Sequence, residues 1–151
     1  MSFWNNLRER AASMSTSLQT NIAKFKNSDF ANGTMAMCSM IAAADGSVSG
    51  QEKGKIATLI TQNEILKIFP AAELKQKFDH FCEKMTADYD FGRIEVIQAI
   101  SKLKSKPDQA RAVIQIGIII GGADGNFDND EKKAVKDACN AVGISPQEFD
   151  L

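Results

Sequence analysis

Apolar residues recur along most of the chain at spacings of three, four and seven positions, the pattern of amphipathic helices. No stretch alternates between apolar and polar residues as a half-buried strand would, and no Asn-Gly hairpin joins two β-branched runs. The pattern therefore predicts an all-α fold of about seven helices. The apolar stripe of the first segment contains Trp4, Leu7, Ala11, Met14, Leu18 and Phe25.

Capping residues and prolines set the predicted helix boundaries. Asn27-Ser28-Asp29 offers a cap, Pro70 favours a new start, Asp90 is predicted to cap a helix, and Pro107 suits a first turn. We divide the chain into an N-terminal amphipathic helix (1–26) and one helical domain (27–151). The predicted helices of this domain run over residues 28–44, 49–61, 71–85, 90–103, 107–122 and 128–142, before a short turn at 145–148.

Two segments of the chain repeat one motif, in which Ile, Ala, Asp, Gly, Glu and Lys recur identically in register. MIAAADGSVSGQEK (40–53) aligns without gaps with IIGGADGNFDNDEK (119–132), at a constant offset of 79 positions (124 minus 45). Matching apolar positions extend the two repeats to about 35–60 and 114–139. Two copies at half the chain length predict two helical halves related by pseudo-twofold symmetry, with their turns or small-residue helices meeting at the axis.

Each copy joins the end of one helix to the start of the next through an acidic turn. Asp45 and Asp124 lie at predicted helix C-termini, where the helix dipole disfavours a negative charge, so each needs a compensating partner. Ser49 and Asp128 precede a glutamate by three residues, which is the capping-box spacing. The turns are therefore candidates for both structural and binding roles.

Two interpretations of these turns remain open. In the first, a divalent cation binds a composite site, and oxygen-only ligands favour calcium, magnesium or manganese. The candidate ligands are Asp45, Glu52, Asp124, Asp128, Asp130 and Glu131. The site is not an EF-hand, because Asn129 and Val135 replace the required Gly and Glu. In the second, the aspartates make turn hydrogen bonds, the glutamates complete capping boxes, and no metal binds.

Composition and the absence of catalytic motifs argue against nucleic-acid binding and against catalysis. Eighteen basic and nineteen acidic residues give a net charge of -1, without the excess of positive charge typical of nucleic-acid binders. The only histidine, His80, lies two residues from Cys82, a spacing that does not bring two side chains together on one helix. The chain has three cysteines without a CxxC motif, which favours a reducing compartment. We expect Cys38, Cys82 and Cys139 to be small buried residues, and reactive thiols are the alternative. No catalytic motif occurs, so we expect a protein that is not an enzyme.

The ends and the hydropathy of the chain predict a cytoplasmic protein. The N-terminus lacks the apolar core of a secretory signal, and the longest apolar stretch, 112–123, is far shorter than the roughly 20 residues of a membrane span. For the N-terminal amphipathic helix, we expect docking onto the protein's own core. Binding to a membrane surface or to a partner helix is the alternative.

The paired segments AAADGSVSGQEK and GGADGNFDNDEK closely resemble the repeated motif of the TerB-like family of tellurite-resistance proteins, over about residue 30 to the end. The resemblance implies a TerB-like bundle of two similar halves and a non-enzymatic role in resistance to tellurite and other stress. It also implies action with a TerC-like inner-membrane protein and other tellurium-resistance proteins, in the cytoplasm or peripheral to the inner membrane. The family's acidic motif residues, with a suggested metal-binding role, carry over to Asp45, Glu52, Asp124 and Glu131. Gln51 in the first copy replaces the acid found at Asp130, so the first copy departs from the pattern.

Overall fold

Six α-helices and three short 3₁₀ turns form the part of the chain that the computed structural model describes, residues 22–123, 125 and 127–151, with side chains from Lys24 onward. The helices are α1 (Ser28–Ala42), α2 (Gly50–Gln62), α3 (Ala71–Ala87), α4 (Tyr89–Ser101), α5 (Pro107–Gly121) and α6 (Asn129–Val142). The 3₁₀ turns are Ile22–Phe25, Ile65–Ile68 and Pro146–Phe149. The all-α prediction is confirmed. Most of the predicted helix over 1–26, residues 1–21, lies outside the described residues. The 3₁₀ turn Ile22–Phe25 is the part of it that the structure describes.

Local capping chemistry fixes most helix ends where the sequence predicts them. The Asn27 side chain accepts a hydrogen bond from the Phe30 amide (2.9 Å) and opens α1. Pro107 is the first residue of α5, where its missing N–H costs nothing. Gly143 ends α6 in the left-handed conformation, with φ of 72°. These ends follow from residues within one turn of each boundary.

One predicted cap is wrong. Asp88, not Asp90, caps α4, because its side chain accepts a hydrogen bond from the Phe91 amide (3.1 Å). Asp88 is also the residue at which α3 ends, so the chain turns from one helix into the next at a single position. Asp90 lies inside the first turn of α4, where its negative charge interacts favourably with the helix dipole but its side chain does not cap the helix.

The central helix of the fold is α1, which contacts each of the other five helices. Twelve of its 15 residues are buried, and the other three lie in its first two turns. Its buried hydroxyls are satisfied locally, since Thr34 donates to the Phe30 carbonyl (2.8 Å) and Ser39 to the Ala36 carbonyl (2.7 Å). Although α1 is strongly apolar, neither it nor any other helix in the described part is long and apolar enough to cross a membrane.

Helix α5 is as apolar as α1 and packs directly on it. A Cβ atom at Gly117 would lie 2.7 Å from Cγ of Met37, so glycine at this position allows the two helices to approach closely. On another side of α1, helices α3 and α4 pack against each other and against α1. This arrangement brings the α1–α2 connection and the start of α6 to the border of one cleft.

Candidate functional site

Two helix–turn–helix segments carry the candidate site. Helices α1 and α5 are each 15 residues long and begin 79 positions apart, at Ser28 and Pro107. The N-caps of α2 and α6, Ser49 and Asp128, are separated by the same number of residues. Gly46 and Gly125 both adopt positive φ, 97° and 84°, where a side chain would be strained. The two connections therefore share the positions of their N-caps and the conformation of their glycine.

The Asp45 carboxylate is engaged within its own turn. Its Oδ1 accepts hydrogen bonds from the Ser47 amide (3.2 Å) and from the Ser47 hydroxyl (3.4 Å), an Asx-type turn on an exposed loop. This is the bond predicted by the metal-free interpretation. Its counterpart Asp124 is a candidate ligand that lies outside the described residues.

The capping box is complete at the second copy and half formed at the first. Asp128 Oδ1 accepts from the Glu131 amide (2.8 Å), and Glu131 Oε1 accepts from the Asp128 amide (3.0 Å). In the first copy Ser49 Oγ accepts from the Glu52 amide (3.0 Å), but the described Glu52 side chain makes no return bond to Ser49. The box predicted at Glu52 is thus only partly correct.

The acidic side chains of both copies border one small cleft of about 100 Å³. Its floor is formed by α1 residues, and its walls come from the starts of α2 and α6. We call it the acidic cleft, and its charged lining consists of Asp45, Glu52, Lys55, Asp128, Asp130 and Glu131. Five of the six candidate ligands therefore lie around one depression, five carboxylates with one lysine.

The carboxylates line the cleft without converging on one point. Among the described residues, no group of three or more His, Cys, Asp or Glu side chains is placed to hold a metal ion. The hydrogen bonds of the Asp45 turn and the Asp128–Glu131 box direct three of these carboxylates toward backbone amides. The oxygen donors suit a hard cation by chemistry, but the arrangement of these side chains is that of caps and turns.

The thiols and the histidine do not form a catalytic pair. Burial raises the pKa of Cys38, Cys82 and Cys139 each to about 12, so these buried side chains remain protonated near neutral pH. His80 Nε2 lies 2.6 Å from Oε2 of Glu95, an exposed contact between α3 and α4. The interpretation of the cysteines as small buried residues fits this environment.

A second depression, apolar and larger, was not predicted from the sequence. It has a volume of about 370 Å³ and lies between α2, the Ile65–Ile68 turn and α3. Its wall includes Ile60, Leu66, Phe69, Leu74 and Phe78. The periodic pattern marks these residues as core positions, and nothing local to them indicates an open groove. The depression forms only when α2, the Ile65–Ile68 turn and α3 pack together, so it cannot be predicted from local sequence.

The fold and the site define a class: an all-helical protein with two helix–turn–helix segments whose acidic turns border a common cleft, and without a nucleophile–base pair among the described residues. A family model for "Tellurite resistance protein TerB" matches residues 31–151, and the chain belongs to this family. The "Tellurium resistance protein TerB" of Alcaligenes sp is 31% identical over 118 residues, covering 78% of this chain and 97% of that relative. No solved structure matches the chain.

Proposed function

We propose that this TerB-family protein acts in tellurite resistance without being an enzyme, and that its acidic cleft binds a divalent cation. The observation that carries the proposal is that five carboxylates from two separate segments border one cleft with a single lysine. The stated role in resistance rests on the family match and on the Alcaligenes relative. The cation is our inference from the charge of the cleft.

The electrostatics of the cleft favour a cation. Asp128 and Asp130 lie two positions apart at the start of α6, and Glu52 faces the same cleft from α2. Carboxylates that share a small volume repel one another, and a divalent cation offsets this repulsion. All candidate ligands are oxygen donors, which suits calcium, magnesium or manganese rather than zinc or copper. We include Asp124 in the proposed ligand set because of its position in the second copy.

We also propose that the two segments are copies of one ancestral hairpin that together form a single site. The equal spacing of Ser28 and Pro107, and of the caps Ser49 and Asp128, supports this view. Gln51 stands where the second copy has Asp130, so the first copy contributes fewer charges. A composite site, rather than two independent sites, follows from that difference.

An NMR titration of the metal-free protein tests the cation directly. Calcium, magnesium and manganese are added in turn up to millimolar concentration while backbone amide signals are followed. We expect saturable changes confined to residues 45–52 and 124–131. Replacing Asp124→Asn or Asp130→Asn should weaken binding, because each removes one negative oxygen ligand.

Asp108→Asn is the matched control. Asp108 and Asp130 are both exposed, and each is the second residue of its helix, so the two substitutions perturb the helix dipole equally. Only Asp130 borders the acidic cleft. The cation proposal would be contradicted if Asp108→Asn weakened ion binding as much as Asp130→Asn does. It would also be contradicted if none of the three ions produced a saturable change.

The alternative function is that of a metal-free adaptor whose acidic face binds a partner protein. It is favoured by the hydrogen bonds that already engage Asp45, Asp128 and Glu131. The partner we propose, from the resemblance, is a TerC-like inner-membrane protein, which would put this chain at the cytoplasmic face of the membrane. In this version the cleft is an interaction surface, and its charge rather than its ligand geometry matters.

Binding to the solubilised TerC-like protein in the presence of EDTA separates the two functions. The adaptor predicts binding that survives EDTA and is lost on charge reversal by Asp130→Lys, but kept by the control Asp108→Lys. The cation proposal predicts binding that EDTA abolishes and calcium, magnesium or manganese restores. Tellurite resistance of cells carrying each variant then reports whether the same residue matters in vivo.

A further inference from the structure

The apolar depression between α2 and α3 is a surface groove that none of the described residues fills. We call it the α2–α3 groove and define it by Ile60, Leu66, Phe69, Leu74 and Phe78, with exposed Thr58 and Ala72 at its rim. Its volume of about 370 Å³ lies within the range of roughly 300–1,000 Å³ found for ligand pockets. A concave depression lined mainly by apolar side chains is the usual form of a binding pocket.

The charges at the rim are already paired, which argues for an apolar occupant. Lys67 Nζ lies 2.8 Å from Glu64 Oε1. Asp79 forms ion pairs with Lys75 of its own helix and with Lys53 of α2, whose Nζ lies 3.3 Å from Asp79 Oδ1. An amphiphile with a charged headgroup would have to break one of these pairs. A row of apolar side chains needs no such exchange.

The described chain begins beside this groove. The first turn, Ile22–Phe25, contacts the Ile65–Ile68 turn, whose Leu66 lines the groove. A row of aromatic rings continues from there, because Phe25 and Phe30 have centroids 5.4 Å apart, and Phe30 and Phe69 have centroids 6.2 Å apart. Phe69 is itself part of the groove wall. Whatever precedes residue 22 therefore starts next to the groove.

The preceding 21 residues contain an apolar stripe of matching character. Trp4, Leu7, Ala11, Met14 and Leu18 recur at spacings of three and four, so a helix over them would present one apolar face. Fifteen helical residues span about 22 Å, at roughly 1.5 Å per residue, enough to lie along a groove between two helices. We propose that the stripe of residues 4–18 occupies the α2–α3 groove of the same chain.

Occupation within one chain is favoured over occupation by a second copy. The stripe ends four residues before Ile22, so a short connection holds it beside the groove. A short tether gives an effective concentration of about millimolar, well above ordinary protein concentrations in solution. The proposal is independent of the cation, since the groove and the acidic cleft share no lining residue.

The only tryptophan of the chain, Trp4, lies in the stripe and reports its environment. In the full-length protein we expect blue-shifted Trp4 emission and weak quenching by acrylamide. Ala72→Arg, which places a charge at the rim of the groove, should shift the emission to the red and increase the quenching. The matched control is Ala87→Arg, an exposed alanine at the other end of α3 that should leave both unchanged.

A nitroxide label tests the location of Trp4. All three natural cysteines are buried, so a label attaches selectively to Thr58→Cys at the groove or to Thr86→Cys away from it. The two threonines are matched, since both are exposed and both hydroxyls bond a carbonyl four residues earlier, at 3.0 and 2.9 Å. The label at position 58 should quench Trp4 strongly, the label at 86 weakly, and dilution should change neither.

Several results would overturn the proposal. Equal quenching from the two positions would mean that the stripe does not lie in the groove. Quenching that disappears on dilution would identify a second copy as the occupant. Solvent-exposed Trp4 emission that shifts to the blue only on addition of phosphatidylglycerol vesicles would assign the stripe to a membrane surface.

Discussion

Gly92 of α4 lies against the backbone of Lys84 in α3. A Cβ atom at Gly92 would come within 2.5 Å of the carbonyl carbon and oxygen of Lys84. Because the obstacle is backbone rather than a movable side chain, only glycine fits this crossing. The close approach of α3 and α4 therefore depends on one residue.

Gly92→Ala should destabilise the protein. The added methyl group must push the two helices apart, and overpacking of this kind costs about 1–3 kcal/mol. This loss exceeds the gain of roughly 0.8–1 kcal/mol in helix propensity when Gly becomes Ala. Urea unfolding followed by circular dichroism at the helix band measures the difference.

Gly54→Ala provides the opposite control. Gly54 is also inside a helix, but a Cβ atom there meets nothing within 4 Å, and the residue is exposed. We expect stabilisation of about 0.5–1 kcal/mol from helix propensity alone. If Gly92→Ala also stabilised the protein, the backbone contact with Lys84 would be wrong.

Arg93 and Asp137 connect α4 with α6 through a charged hydrogen bond of 2.6 Å. Both side chains are partly buried, at 35% and 25% exposure, and Lys133 also contacts Asp137. A double-mutant cycle of Arg93→Ala and Asp137→Ala should give a coupling free energy of about 0.5–1 kcal/mol. Thermal or urea unfolding of the four proteins supplies it.

The pair Glu64 and Lys67 serves as the comparison for this cycle. Its nitrogen–oxygen distance of 2.8 Å is similar, but its side chains are 67% and 58% exposed, so solvent screens the attraction. We expect a coupling free energy near zero. Equal couplings for the two pairs would show that burial at the α4–α6 contact adds nothing.

The ion pairs of Asp79 make the free energy of unfolding depend on pH in the acidic range. The hydrogen bond from Lys75 and the charge of Lys53 hold the pKa of Asp79 below its usual value of 3.8. A carboxyl whose pKa is lowered by folding contributes stability above pH 3.8, and loses it as the pH falls through the lowered pKa. Asp79→Asn should therefore be less stable than the natural protein at pH 7, and the difference should close on acidification.

The measurement is the free energy of unfolding between pH 7 and pH 2 for both proteins. Glu83→Gln is the control, because Glu83 is an exposed carboxylate on the same helix. Like most surface substitutions, it should change the free energy of unfolding at pH 7 by no more than about 0.5 kcal/mol. A gap between Asp79→Asn and the natural protein that stays constant with pH would refute the assignment.

The three thiols should be unreactive until the protein unfolds. A pKa of about 12 leaves roughly one thiol in ten thousand ionised at pH 8, and burial also blocks the reagent. We expect negligible alkylation by iodoacetamide of the native protein, and modification of Cys38, Cys82 and Cys139 in guanidinium. Mass spectrometry of intact protein counts the adducts. Rapid native modification would reopen the reactive-thiol interpretation.

The same pKa shifts predict a loss of stability in alkali. In the unfolded chain the thiols ionise near their ordinary value of 9.0, whereas in the folded protein they hold their protons to about 12. The unfolded state therefore binds fewer protons above pH 9, and the free energy of unfolding falls as pH rises. Replacing the three cysteines by alanine should flatten this decline.

Local sequence determined the six α-helices of the described residues and most of their ends. Hydrophobic spacing, the Asn27 cap, Pro107 and Gly143 act within one turn, so their effect can be predicted without knowing the fold. The gapless alignment of the two segments likewise predicted N-caps at equivalent positions, Ser49 and Asp128. The wrong cap, Asp90 in place of Asp88, arose where two acids two residues apart compete for one helix start.

Tertiary structure decided what these elements form together. The approach of α4 to α3 at Gly92, the pairing of Arg93 with Asp137, and the α2–α3 groove each join residues of different helices. The candidate ligands were named from the sequence, but only the packing of α2 and α6 around α1 brings five of them to one cleft. Capping is a contact between neighbours in the chain, whereas a cleft, a groove and an interhelical ion pair depend on how whole helices cross.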